Sequence, residues 1–439
     1  MDKRKYSFEH FFVFSHLLKW TVIVLPLAFC IGSVVAFFLW GLEQVTEYRH
    51  IHSWLLYLLP IAGIIIYLMY AYLGKESEAG NNLIIDEIHE PRKGVPAIMT
   101  PLVLLGTLIT HLFGGSAGRE GTAVQMGGSI ANLYARIIKL QRQDLSILLM
   151  TGVAAGFGAV FGTPVTGTIF AMEVLALGSI KHTALVPCFI AALLADATCT
   201  AWGIHHTEYH ILFVDDHHAY LPFLHVDLPL LVKSIFAGVL FGLAGYFFSQ
   251  LSHGIKKTAN KYVPYKWLIP AIGGCIIILL TFILQTDSYL GLGVSNPNPA
   301  SVSIISCFKE GGATYWSWFW KLLFTAVTLG MGFKGGEVTP LFFIGAALGN
   351  AIGAVTGAPI DLMAGLGFIA VFAGATNTPI ACTIMGIELF GSNNILYYAV
   401  ACFTAYYFSG HSGIYGAQRI GQAKIDFLKK DMNKRLNDL

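Results

Sequence analysis

Residues 118–122 read Gly-Arg-Glu-Gly-Thr and open an apolar helical run that reaches Gly128. Residues 335–340 read Gly-Gly-Glu-Val-Thr-Pro and open a second run that reaches Gly345. Eight positions separate Glu120 from Gly128 and eight separate Glu337 from Gly345, and each glutamate has a threonine two residues later. Further along, Thr163-Pro164 answers Thr378-Pro379. Thr168 and Thr383 each lie four after the proline, and Glu173 and Glu388 nine after. The offset between the halves is 217 residues at the first motif and 215 at the second. Several matches in register, in segments broken by Gly and Pro, point to a two-repeat transporter.

The chain around these motifs has 439 residues, 55% hydrophobic and only 12% charged. A soluble domain carries about 25% charged residues, roughly twice this density. Mean hydropathy is +0.64, and the 47 glycines are spread along the chain. A soluble globular protein, a disordered chain and a secreted disulfide scaffold are excluded, which leaves a polytopic membrane protein set in a lipid bilayer. A net charge of +2 gives no footing for a nucleic-acid partner. The seven cysteines show no C-x-x-C and no metal-ligand spacing, and read as small apolar packing residues.

Lys3, Arg4 and Lys5 precede an apolar stretch from Trp20 to Leu42. That stretch is too long for a signal peptide and long enough to cross a hydrocarbon core of roughly 30 Å, so it reads as a retained helix. Further apolar segments lie near 54–73, 95–113, 145–161, 164–178, 184–203, 229–251, 267–285, 317–331, 340–357, 362–376, 379–390 and 395–410. Basic residues collect at the N-terminus, at Lys75/Arg92/Lys93, at Arg136/Lys139/Arg142, at Lys256 to Lys266 and in the tail. The stretch 205–227 carries acids and no Lys or Arg. The positive-inside rule therefore places both termini in the cytoplasm. The expected division is a cytoplasmic segment 1–19, a first membrane repeat 20–228, a second 229–420 and a cytoplasmic C-terminal helix 421–439.

Glycines flanking a glutamate at a helix mouth leave backbone N–H groups unhindered. Such a mouth attracts an anion, and a carboxylate can occupy the same seat. An acid at mid-membrane suggests proton or ion traffic. Set against this, Glu120 can simply cap a helix or pair with Arg119, and Glu173 and Glu388 can simply end helices near an interface.

These residues resemble the CLC family of chloride channels and anion/proton antiporters over about residues 20 to 425. Gly118 to Gly121 (G-R-E-G) resembles its gating-glutamate motif, Gly152 to Glu173 the helix pair that follows, and Phe408 to Tyr415 the segment with the pore tyrosine. The resemblance implies an all-α membrane fold of two inverted-topology repeats with broken and re-entrant helices, and a homodimer with one pathway per subunit. Chloride-selective members usually have G-S-G-I-P at the first anion loop; here Gly80-Asn81-Asn82-Leu83-Ile84 stands there, with Asn81 at the serine position. The usual G-x-F-x-P is Gly336-Glu337-Val338-Thr339-Pro340, and Thr122 replaces a proline after the gating motif. This combination resembles the fluoride/proton antiporter branch. The inner acid of chloride antiporters is missing, because Val174 follows Glu173. That loss alone would equally fit a passive channel.

The resemblance implies that Glu120 gates and couples protons, with Glu337 as second coupling acid. Asn81, Gly118, Arg119, Gly121, Val338, Thr339 and Tyr415 are expected to surround the anion. Fluoride is strongly hydrated, so a site that strips its water must return hydrogen bonds. The Asn81 amide, the Thr339 and Tyr415 hydroxyls and helix-start N–H groups are the donors on offer. Asn81 can also be a plain turn residue, and Tyr415 a packing plug. The expected function is fluoride export in exchange for protons in a plasma membrane, conferring fluoride resistance, with no cofactor and no metal. Chloride/proton exchange or a passive anion channel on the same fold are the rivals. An enzyme is disfavoured by the lack of G-x-S-x-G, H-E-x-x-H and a phosphate loop. Six histidines in 205–225 read either as a zinc or proton-collecting site or as a polar loop, and the polar loop is favoured.

Overall fold

The computed structural model describes residues 9–214, 227–425 and 431–439. Eight helices fill the first half: α1 Glu9–Ile51, α2 Leu59–Leu73, α3 Asn81–His89, α4 Met99–Leu112, α5 Glu120–Ile137, α6 Arg142–Phe161, α7 Pro164–Glu173 and α8 Leu185–Ala201. Eight fill the second: α9 Leu228–Tyr262, α10 Leu268–Leu284, α11 Ile304–Cys307, α12 Ser317–Gly330, α13 Val338–Thr356, α14 Ile360–Thr376, α15 Pro379–Phe390 and α16 Ile395–Phe408. Each helix has a counterpart eight places later. The packing repeats accordingly: α5 on α6 as α13 on α14, α6 on α7 as α14 on α15, and α1 on α8 as α9 on α16. Contacts of α7 with α15 and of α2 with α10 join the halves.

Among the described residues six helices are long and apolar enough to cross a membrane, and five more apolar helices are shorter. The first is longer than the expected 20–42: α1 runs 43 residues, so the expected separate segment 1–19 is helical from residue 9 and continuous with the span. By contrast α7 and α15 have 10 and 12 residues, about 15 and 18 Å at roughly 1.5 Å per residue, too short to cross a hydrocarbon core of roughly 30 Å. Local sequence explains why. Gly162 and Asn377 end α6 and α14 in the left-handed region, at φ +71° and +59°. A threonine then turns the chain, and Pro164 or Pro379 starts the next helix with its φ already set.

The long helices approach each other through glycine. A Cβ added at Gly345 would run into the Gly367 carbonyl, and one at Gly127 into that of Gly152. These are equivalent contacts of α13 with α14 and of α5 with α6, and small-residue contact of this kind is how membrane helices gain packing without a hydrophobic drive.

The tail departs from expectation. Residues 421–425 and 431–439 hold turns, a bridge and a 3-10 turn at Leu436–Asp438 rather than a helix; Phe427, Leu428 and the rest of 426–430 lie outside the described residues. Strand β2 (Arg419–Ile420) pairs in parallel with β1 (Ala176–Leu177). Arg419 then reaches Glu90 beyond α3 at 2.5 Å, and Arg435 reaches Asp86 at 3.1 Å. Backbone hydrogen bonds supply the pairing that the amphipathic pattern at Ile425 and Met432 had suggested a helix would supply.

Two tests follow from this packing. Gly345→Ala is expected to cost about 1–3 kcal/mol through overpacking, read as a lower thermal midpoint of the purified protein. Gly254→Ala, where a Cβ meets open space, should leave the midpoint level or slightly raised; equal midpoints would refute the close-contact account. Hydrogen bonds from Arg419 and then Arg92 hold the Glu90 carboxyl down to about 2. A carboxyl lowered on folding stabilises above its unfolded value of about 4.3 and loses that contribution as pH falls through the folded one. Glu90→Gln should therefore lower the midpoint slightly at neutral pH, and the gap from wild type should close between about pH 4 and pH 2.

Candidate functional site

The two motif loops meet head to head. Gly118 N–H donates to the Gly336 carbonyl at 2.6 Å and Gly336 N–H to the Gly118 carbonyl at 2.8 Å, an isolated antiparallel bridge between the repeats. The loops thus point the N-termini of α5 and α13 toward one spot. Glu120 is the first residue of α5 and fully buried, but its carboxylate serves the other helix. Oε2 accepts the Thr339 N–H at 3.1 Å and the Arg119 N–H at 3.1 Å, and Oε1 accepts the Thr339 hydroxyl. The Arg119 guanidinium stands 3.7 Å from Oε1. A Cβ on Gly118 would lie 2.7 Å from Oε2, so the glycine is needed for the carboxylate to take this seat. Capping a helix and pairing with Arg119, alternatives in the sequence, turn out to be one arrangement.

Glu337 precedes α13 and is half-buried. The side of Gly121 faces it: a Cβ there would come within 3.1 Å of Asn81 Nδ2, 3.1 Å of Gly336 Cα and 3.7 Å of Glu337 Oε2. Asn81, Gly121 and Glu337 are thereby gathered beside the Glu120 seat. Asn81 is the first residue of α3, after Gly80 at φ +57°, and its Oδ1 is buried without a hydrogen-bond partner. Val338 is buried in the first turn of α13. Tyr415, also buried, lies within electrostatic reach of both glutamates, and its ring meets Phe170 of α7 edge-on at 6.5 Å. The two acids and seven further residues expected around the anion lie in this one region.

Glu173 and Glu388 have a different task from those two. Glu173, at the end of α7, accepts the Ile380 and Ala381 N–H groups of α15 at 3.1 and 2.8 Å. Glu388, near the end of α15, accepts the Val165 and Thr166 N–H groups of α7 at 2.9 and 2.8 Å and the Thr166 hydroxyl at 2.6 Å. The two short helices exchange N-terminal caps. They do end helices, as one sequence reading had it, and they do so at the contact between the repeats.

The supports of the site were not read from sequence. Ser116 N–H donates to the Thr328 hydroxyl at 3.1 Å, the Ser116 and Thr325 hydroxyls meet at 2.9 Å, and those of Thr107 and Thr122 at 2.7 Å. Hydroxyls facing inward from α4, α5 and α12 thus fix the first loop. The Tyr415 segment hangs on Asn377, which donates to the Ser412 carbonyl and to Gln418 Oε1, each at 3.0 Å, and accepts from Lys424 Nζ at 2.6 Å. The available signal was polar side chains inside otherwise apolar runs. Of the histidine-rich stretch, 215–226 lies outside the described residues; among those described, no group of three or more His, Cys, Asp or Glu could hold a metal ion.

A family model described as voltage gated chloride channel matches residues 62–410. A chloride/fluoride channel protein of Pseudomonas syringae pv. tomato is 44% identical over 422 residues, covering 95% of this chain and 90% of that protein. Among solved structures, a CLC-type fluoride/proton antiporter matches with a TM-score of 0.85 at 35% identity, over 92% of this chain and 98% of that one. A slow cyanobacterial Cl−/H+ antiporter matches with a TM-score of 0.73 at 18% identity, over 89% and 94%, a likeness of fold alone.

The exchanged caps are open to measurement. Glu173→Ala leaves two buried N–H groups unpaired and should cost about 1–3 kcal/mol, while Glu173→Gln keeps an acceptor and should cost less. The order of thermal midpoints, wild type above Gln above Ala, checks this.

Proposed function

The chain belongs to the voltage-gated chloride channel (CLC) family and is a membrane ion-transport protein rather than an enzyme, and from that premise we propose that it exports fluoride in exchange for protons. The observation that carries the proposal is the seat of the Glu120 carboxylate on α13, with Glu337 beside it. Three donors now given to Glu120, namely the Thr339 N–H, the Thr339 hydroxyl and the Arg119 N–H, suit a small anion that must recover the hydrogen bonds of its lost water. Asn81 and Tyr415 add an amide and a phenol from the flanking segments.

The mechanism rests on competition for those donors. Ionised Glu120 and fluoride carry the same charge and want the same helix end, so one excludes the other. A protonated Glu120 has no such claim, leaves the seat and can itself donate to fluoride. Anion entry and proton uptake become linked steps. Glu337, on the same loop as Thr339, is the second acid, and it carries the proton toward the other face, where Val174 offers none. Close glycines at 118, 121 and 336 keep the seat narrow, which favours the smallest halide. The charge bias of the loops supports cytoplasmic termini in a plasma membrane, and the family resemblance supports a homodimer and a role in fluoride resistance.

Liposomes holding the purified protein test the reading, with a fluoride electrode following efflux and a dye reporting internal pH. Fluoride efflux should drive protons inward against their gradient, with little chloride movement in a matched set. Glu120→Gln should abolish proton coupling, Glu337→Gln should slow or uncouple turnover, and Thr339→Val should weaken fluoride transport by about tenfold, the worth of roughly one hydrogen bond to a charged group. Fast efflux of both halides without proton movement would make it a channel and remove Glu337 from the mechanism.

A further inference from the structure

Arg119 and Thr339, the two residues that hold the Glu120 carboxylate, also line a narrow void of about 10 Å³, closed by His206, Tyr209, Phe342 and Leu389. That volume is close to the least that admits one water. His206 lines a second space as well, an open vestibule of about 520 Å³ bordered by the exposed His205, Glu208 and His210. It therefore stands between the open vestibule and the gating carboxylate.

Two features prepare this imidazole to carry a proton. Its Nε2 lies 3.7 Å from Asp196 Oδ1 of α8, and neither atom has a hydrogen-bond partner in this arrangement. Two buried polar atoms left facing each other are satisfied together by a hydrogen on Nε2, and the pairing is strongest when the ring is charged. The ring also packs on Gly162, the left-handed C-cap of α6, where a Cβ would strike Cδ2 at 2.5 Å. The negative end of that helix favours a cation at this place. The other charged groups around it are Arg119, which opposes the positive ring, and Glu388, which is engaged by the N-terminus of α7. Glu208 and His210 face each other at 3.7 Å on the exposed rim. Glu120 lies beyond the void.

We propose that His206, held by Asp196, is the proton relay between the vestibule and Glu120. The ring takes a proton from the vestibule and becomes imidazolium beside Asp196. It then gives up one ring proton, through a water in the void, to a carboxylate oxygen of Glu120. The neutral carboxyl releases Thr339, and the neutral ring is ready for the next proton. This inference rests on the proton exchange proposed above.

The test is the pH profile of fluoride-driven proton uptake in liposomes, with pH equal on both sides at the start. Wild-type uptake should fall as pH rises, because the relay has first to take up a proton. His206→Gln should abolish that pH dependence and slow uptake by about tenfold or more at pH 7.5, on the scale of a lost proton-transfer group. Asp196→Asn should move that pH dependence toward lower pH, because the ring loses its counter-charge. If His206→Gln does not fold, the Asp196→Asn profile decides alone. Unchanged rates and pH dependence in both variants would overturn the relay, as would a uniform slowing with the wild-type pH dependence kept, which marks a packing role. A wild type that moves fluoride and no protons would instead defeat the antiport reading itself.

Discussion

A helix that begins inside a membrane protein presents N–H groups with no water to receive them. In this molecule three such beginnings, those of α7, α13 and α15, are met by carboxylates from the other half of the chain: Glu388, Glu120 and Glu173. The rest of the architecture follows from that need. The halves must interlock so that each supplies the other, the breaks Gly162-Thr163-Pro164 and Asn377-Thr378-Pro379 must fall at equivalent places, and Gly118 and Gly336 must touch by backbone for the third cap to reach.

The same interaction has two uses, and surroundings decide which. Glu173 and Glu388 each meet two successive backbone N–H groups in the first turn of a helix from the other repeat. Glu120 meets one backbone N–H of α13 together with a hydroxyl and the N–H of its own neighbour Arg119. Beside it lie a second acid, an amide with an unpaired Oδ1, and the small void under His206. Glu120 is thus the cap with rivals beside it, the arrangement on which the proposed gating rests.

Much of this was legible in the sequence. The repeat could be read because caps and breaks need particular residues at fixed spacing: Pro at a helix start, Thr before it, Glu nine positions on. The gathering of Asn81, Glu120, Glu337 and Tyr415 could be anticipated from the motif residues and the family they resemble. What could not be read was which helix each acid serves. Spacing along one chain says nothing of the partner across the interface, so Glu173 and Glu388 looked like mere helix ends. The tail misled for a related reason: alternation of Ile425 and Met432 with Lys and Asp fits a helix, while pairing with β1 and ion pairs to Asp86 and Glu90 depend on contacts more than 200 residues away in sequence. His206 was seen only as one of six histidines, because its distinction is the position of Gly162 and Asp196 around it.

The exchange of caps between α7 and α15 also bears on how the chain is made. Residue 165 leaves the ribosome 223 residues before Glu388, so until α15 is made the N-terminus of α7 has no Glu388 to receive it. The first repeat must wait in the bilayer with that end held by water, lipid headgroups or the insertion machinery. Glu173 waits equally for α15. Completion of α15 satisfies both ends at once, which makes the last quarter of the chain the step that locks the halves, and makes a cut between the repeats different from a cut in any surface loop: each fragment would carry an uncapped helix that only the other can close.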